Sequence, residues 1–231
     1  MFQGAKTWKP FWVEVKDNFL NISTECGKEA FTSFHIGVLR VRPSKDYPDR
    51  PDVLELYDGD GFTATSFFVF TYDPFDILEF FKNVCNAYKS WRDNVTTNKT
   101  PIQSQWDVKP PGFFSGNVTW QVNSDRICVQ KNNVTQSTIM LNESFKITPQ
   151  WNQSKAGLFK LQRGNEVSEI KCANNTQMKE LLNAIYTNAF ILKIPAQPAQ
   201  PAQPQAPAPE AAPAEPSPTP APTPAPQETT E

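Results

Sequence analysis

Twice along this chain a tight turn leads into a β-prone run and then into an amphipathic helix, and that repetition limits what the chain can fold into. In the first half Asp58-Gly59-Asp60-Gly61 is a strong turn signal and Phe62 to Tyr72 reads as a strand. A helix follows. Asp73 is a good N-cap, Pro74 suits the first helical position, and Asp76 adds negative charge to the first turn. Ile77, Leu78, Phe81, Val84, Cys85, Tyr88 and Trp91 recur at helical spacing and predict one apolar face. Arg92 stands near the end, where a cation suits the helix dipole, and the polar run Asp93 to Gln105 predicts a linker. In the second half Arg163-Gly164-Asn165 predicts a turn and Val167 to Cys172 the last strand. Asn174 or Thr176 then caps a helix with Met178, Leu181, Leu182, Ile185, Tyr186 and Ala189 on one face. Glu79 to Val84 lines up with Glu180 to Ile185. The chain is an internal repeat of about one small domain, each copy in the size range that can fold alone.

Strands fill the space before each helix. Trp12, Val13, Val15, Phe19, Leu20 and Ile22 suit a pleated, half-buried surface, and Asp17-Asn18 tolerate the positive φ of a tight hairpin. Glu25 to Ala30 is a polar loop, Ser33 to Val41 alternates as one strand, and Val53 to Tyr57 is a short strand. Arg42 to Asp52 holds three prolines, so it predicts a long loop, a candidate for function or mobility. In the second half Trp120 to Val129 repeats the outline of the first hairpin around Asn123-Ser124-Asp125. Ser137 to Leu141, Phe145 to Thr148 and Gly157 to Leu161 predict further strands.

The stretch Trp8-Lys9-Pro10-Phe11-Trp12-Val13-Glu14-Val15-Lys16-Asp17-Asn18-Phe19-Leu20 resembles the second and third strands of a pleckstrin-homology (PH) domain, W-K-x-R-W-F-V-L-K-x-N-x-L. The resemblance covers most of residues 1–92 and 112–192 and is strongest over the first hairpin and the two helices. It implies two curved antiparallel sheet sandwiches or barrels, each closed by a C-terminal amphipathic helix. Three departures stand out. Phe80 and Leu181 occupy the place of the family's helix tryptophan. Only Met1 to Thr7 precede the first hairpin, where the family's seven-strand plan needs a first strand. Phosphoinositide-binding members cluster Lys and Arg on the first two strands. Here Lys6, Lys9 and Lys16 remain, Pro10 and Phe11 replace further bases, and Phe113 to Val122 has none. Several phosphates need clustered cations, so the missing charge argues against tight headgroup recognition.

The formal net charge is −2, made of −2 over residues 1–103, +4 over 104–194 and −4 over 195–231. Near balance carries no nucleic-acid signature. No basic start leads into an apolar run, so no signal peptide is expected, and no stretch is long and apolar enough to span a membrane. Cys26, Cys85, Cys128 and Cys172 form no C-x-x-C and read as small apolar residues in a reducing compartment. Asn-x-Ser/Thr sequons at Asn21, Asn94, Asn98, Asn117, Asn133, Asn142, Asn152 and Asn174 point the other way, toward a secreted glycoprotein, although an Asn/Thr-rich composition produces them without any targeting. His35, the single histidine, has no nucleophile or metal partner by motif, and no phosphate-binding or hydrolase motif is present. No catalytic, metal or cofactor site is therefore expected. From Pro195 the composition shifts to Pro, Ala, Gln, Thr and Glu with prolines at period three, which predicts a disordered tail of polyproline-II character. Its P-x-x-P spacing is the kind polyproline-reading domains bind, but it lacks the flanking base such ligands carry.

The sequence therefore reads as mainly β with C-terminal helices (α+β). PH-like domains occupy 1–103, including a linker, and 104–194, and the tail runs over 195–231. The expected function is a non-catalytic, cytoplasmic scaffold or adaptor that binds protein. Trp8, Arg42, Tyr47, Arg50 and Trp106 are candidate partner contacts. The alternative is recruitment to an anionic or phosphoinositide membrane surface through Lys6, Lys9 and Lys16 or the basic second half.

Overall fold

The structure, a computed structural model, describes residues 8–50, 52–58, 66–71, 73–110, 116–151 and 156–195. Lys6, the turn at 59–61, most of the tail and Asn152 lie outside the described residues. In the first half β1 (Trp12–Lys16), β2 (Phe19–Ser23) and β3 (Thr32–His35) form one antiparallel sheet in that order. β4 (Leu39–Pro43), β5 (Val53–Asp58) and β6 (Ser66–Phe70) form a second, and α1 (Pro74–Asn98) follows. The second half has β7 (Ser104–Val108), β8 (Val118–Val122), β9 (Arg126–Lys131) and β10 (Val134–Met140) in a four-stranded sheet. β11 (Lys146–Gln150), β12 (Leu158–Arg163) and β13 (Glu166–Lys171) make its second sheet, followed by α2 (Asn175–Lys193). Both halves are PH-like: two antiparallel sheets, then one helix.

The hairpins form for the reasons their sequences suggest. Asp17 (φ 53°) and Asn18 (φ 65°) turn β1 into β2, with Lys16 paired to Phe19. Asn132 (φ 51°) and Asn133 (φ 61°) do the same between β9 and β10. Two consecutive left-handed residues match the twist of the flanking strands, and Asn and Asp accept that conformation. Asp73 caps α1 by accepting the Phe75 N–H at 2.8 Å, and Asn174 caps α2 by accepting the Gln177 N–H at 2.9 Å.

Several expectations need correcting. The predicted strand Ser33 to Val41 breaks at Ile36-Gly37-Val38, and its two pieces, β3 and β4, belong to different sheets. A Cβ on Gly37 would overlap the indole ring of Trp91, so the break lets α1 seat its tryptophan against the backbone. α1 runs past Arg92 to Asn98 because Val95, one turn beyond Trp91, is also buried. Lys99, in the left-handed region, ends it by donating its N–H to the Val95 carbonyl. The buried stripe is rotated from the predicted one. Val84, Trp91 and Val95 are buried and Ile77, Phe80, Phe81, Ala87 and Tyr88 are partly buried, while Leu78 and Cys85 are exposed. The predicted linker to Gln105 contains the start of β7, so Trp106 lies in a strand and not in a connection.

Each half has a core, and α2 serves both. Met178, Leu181, Ile185 and Ala189 pack with Val122, Ile127, Ile147 and Phe159 in the second half. Leu20, Ile22, Phe34, Leu54, Leu56 and Val69 form the first core with α1. β2 and β3 are buried on both faces. Their alternation sends Leu20, Ile22 and Phe34 into the first core and Phe19, Asn21, Ser33 and His35 to the opposite face, where α2 lies. Phe19 thus belongs to the second half's core although it sits in the first half's sheet, and removing such a ring from water contributes roughly 2–3 kcal/mol. Asn188, fully buried on α2, accepts the Ile102 N–H and donates to the Ile102 and Asn123 carbonyls, fixing the connection between the halves. The described residues up to Pro195 form one compact unit.

Candidate functional site

Three of the sequence-predicted contact residues converge. Trp8 packs edge-on against Phe70 at 4.5 Å between ring centres and lies 5.7 Å from Tyr47. Tyr47 in turn meets Phe68 at 5.8 Å. Arg50 lies over the Phe70 ring at 5.1 Å and pairs with Asp52, Nε to Oδ1 at 2.9 Å. The carboxyl of Asp52 is held below the usual carboxylate range, chiefly by this hydrogen bond from Arg50. The proline-bearing loop after β4 therefore folds back onto β6 as an aromatic and cationic patch. Arg42, at the end of β4, bonds Glu55 at 2.7 Å and lies 4.3 Å from the Tyr57 ring.

The other predicted residues fall elsewhere. Trp106 is only 7% exposed and packs in the second core, because β7 turns it inward opposite Trp120. A residue so placed offers no surface to a partner. Lys9 precedes β1 and Lys16 is its last residue, and both are exposed. Lys16 borders a cleft of about 520 Å³ between the halves, where Lys28 and Lys179 are matched by Glu14, Asp17, Glu29 and Glu180. Such mixed charge does not make a polyphosphate pocket.

The contact missed by sequence reading is a stripe on α2 of Asn175, Lys179, Asn183 and Phe190, which runs beside Tyr186 of the predicted apolar face. These residues recur every three or four positions and meet the first half. Asn175 donates to Glu29 at 2.8 Å, Lys179 to Asn21 at 2.6 Å, and Phe190 packs 4.8 Å from Trp91. Lys179 also lies 5.8 Å from the Phe19 ring and 5.7 Å from Trp151, and burial lowers its amine's pKa against the pull of Asp17, Glu14 and Glu29. The helical spacing of these residues was present in the sequence. Asn175, Lys179 and Asn183 are polar, and polar residues at helical spacing usually face water.

His35 sits at the centre of this interface. Its ring is 5.1 Å from Phe19, 5.4 Å from Trp91 and 5.0 Å from Tyr186. The Gly37 N–H donates to Nδ1 at 3.2 Å, so the ring proton is on Nε2, which donates to Asn183 Oδ1 at 3.0 Å. Asn18 donates to the same oxygen at 3.0 Å. Burial lowers the His35 pKa to about 4 despite the Asn183 bond. Both nitrogens are engaged by an amide and a backbone N–H, an arrangement that orients side chains between the halves. Among the sequon residues, Asn21 is buried in the same interface, where it accepts from Ser33 at 2.8 Å as well as from Lys179. Asn94, Asn98, Asn117, Asn133, Asn142 and Asn174 are exposed. No helix among the described residues is long and apolar enough to cross a membrane.

No family model matches the chain. No curated protein matches it. Among solved structures it is similar to the human PH domain of TBC1 domain family member 2 protein, with 13% identity over 45% of this chain and 95% of that one at a TM-score of 0.35. It is also similar to the PH domain of human oxysterol binding protein-related protein 11, with 10% identity, the same coverages and a TM-score of 0.33. A third similarity is to the pleckstrin homology domain of human KIAA0053 protein, with 13% identity over 39% of this chain and 89% of that one at a TM-score of 0.31. Within the molecule itself, the order of sheets and helix is that of two PH-like units in tandem.

Proposed function

We propose that this chain is a non-catalytic, cytoplasmic scaffold or adaptor whose PH-like domains, 1–103 and 104–194, bind protein partners, with the tail from 195 as a tether. The interlock through α2 supports this reading. One helix packs into both halves, so surfaces on the two domains are presented at a fixed spacing. The patch formed by Trp8, Tyr47 and Arg50 is a candidate contact surface, with aromatic and arginine side chains of the type that anchor interfaces. Proximity labelling with the full chain and with a chain lacking 195–231 should recover a shared set of partners. Loss of that set with the tail would move the binding function to the tail.

Recruitment to an anionic membrane is the second reading. Lys109 and Lys171, both exposed, are bridged through their backbones at one end of the second half's sheets, which brings two cations together. The scaffold reading expects no salt-sensitive flotation with phosphoinositide-containing liposomes. Robust flotation lost on Lys9→Ala or Lys109→Ala would replace it with the membrane reading.

A further inference from the structure

A lysine amine on a protein surface is almost wholly protonated at neutral pH, and a protonated amine has no lone pair to give. Lys179 stands in a different setting. It reaches from α2 to β2, where its Nζ donates to Asn21 Oδ1 at 2.6 Å. The Ser33 hydroxyl donates to the same oxygen at 2.8 Å, and the Asn21 amide donates to the Phe19 carbonyl at 3.2 Å, so the acceptor is fixed. The rings of Phe19 and Trp151 lie 5.8 and 5.7 Å from Nζ, near the outer limit of a cation–π contact, and they take the place of water there. Lys179 also lines the cleft of about 520 Å³ between the halves, together with Lys16 and Lys28. Every residue lining that cleft falls within the described stretches 14–30 and 176–183. Burial lowers the amine's pKa, with some help from Lys16 and against the pull of Asp17, Glu14 and Glu29. A larger share of Lys179 is therefore neutral than of a lysine in water.

We propose that Lys179 is an acylation site, where an acyl thioester in the cleft transfers its acyl group to the amine and weakens the hold of α2 on the first half. The neutral amine keeps its donated bond to Asn21 and has its lone pair free. That pair attacks the thioester carbonyl carbon. A C–N bond forms, the C–S bond breaks, the thiolate leaves with its electron pair, and the amine's surplus proton passes to water. The product is a neutral amide that retains one N–H for Asn21 but no charge. Glu14, Asp17 and Glu29 then lose the cation that they attract, and Phe19 and Trp151 lose the one beside their rings. The ties left between α2 and the first half are those of Asn175 to Glu29, Asn183 to His35 and Phe190 to Trp91. Acylation thus acts on the contact between the two domains and not on either core. The site goes beyond the adaptor reading and stands whether or not the chain has a protein partner.

The probe is acetyl-coenzyme A at millimolar concentration, incubated with the full chain at mildly alkaline pH and followed lysine by lysine by peptide mass spectrometry at early times. Lys179 should be acetylated at least about three-fold faster than Lys16 and Lys28, which line the same cleft. In concentrated urea, where the folded setting is gone, the three rates should converge. An equal or lower rate at Lys179 in the folded chain overturns the site, and so does a preference that persists in urea. The effect on the interface is read by amide hydrogen exchange. Chain acetylated at Lys179 should exchange about ten-fold faster in β2, β3 and α2, the consequence of losing one charged hydrogen bond. Lys179→Gln, a neutral amide, should show the same rise, and Lys179→Arg, which keeps the charge, should not. Exchange that is unchanged on acetylation, or equal in the two variants, overturns the proposed loosening of α2.

Discussion

The two halves share a plan but bury themselves differently. The second half closes its first sheet with β7, so Val122 and Trp120 are covered from within the same half. The first half has no described strand along β1, yet its β2 and β3 are buried on both faces because α2 covers them. In the second half the corresponding β10 is exposed over most of its length. The second half's core takes only Phe19 and Val38 from the first half, while the first borrows a whole helix face. The largest expected effect follows from this asymmetry. Residues 104–195 alone should show a dispersed amide spectrum and a cooperative melt. Residues 1–103 alone, with Phe19, Asn21 and His35 returned to water, should be poorly folded or associate. A cooperative melt of 1–103 at the temperature of the full chain would remove the dependence.

The next effect is energetic. Phe19 stands in the first half's sheet but in the second half's core, so Phe19→Ala should destabilise the whole chain by about 3–5 kcal/mol in a denaturant titration. Hydrogen exchange should rise in α2 as well as in β2. Loss of protection confined to β1–β3 would mean that α2 does not depend on this contact.

His35 gives the interface a pH dependence of known sign. Its folded pKa, about 4, lies below the unfolded value of 6.5. Above pH 6.5 the ring is neutral in both states and its contribution is level. As pH falls from 6.5 toward 4 the unfolded chain binds a proton that the folded chain refuses, and stability drops by roughly 3 kcal/mol over that window. His35→Gln should flatten this segment of the stability profile. An unchanged slope between pH 6.5 and 4 would assign the dependence to other groups.

How much of this was legible in the sequence depends on which force set each feature. Turns and caps were readable because they are local: Asp17-Asn18, Asp73 and Asn174 act through their own backbones. The break at Gly37 was not readable, because its cause, the Trp91 ring, arrives from more than fifty residues away. Trp106 was misplaced for a related reason. Polar neighbours hid a strand whose only apolar members are Trp106 and Val108, and both point one way. Of the candidate contact residues, the sequence found Trp8, Tyr47 and Arg50 as separate aromatics and cations, but only the fold brings them onto Phe70. The α2 stripe shows the opposite failure. Its period was visible, but polar residues at helical spacing usually face water, and here they face another sheet.

The smallest expected effect is the most direct test of the difference between the two halves. Val15 and Val122 hold the same place in their sheets, but one is 42% exposed and the other 0%. Val→Thr keeps the shape of either side chain and adds one hydroxyl. At position 122 the hydroxyl enters a closed core without a partner, and the loss should be about 1–3 kcal/mol. At position 15 water satisfies it, so Val15→Thr should stay within about 0.5 kcal/mol of the parent. Equal losses at the two sites, measured by parallel denaturant titrations, would mean that β1's edge is covered in solution as β8's is.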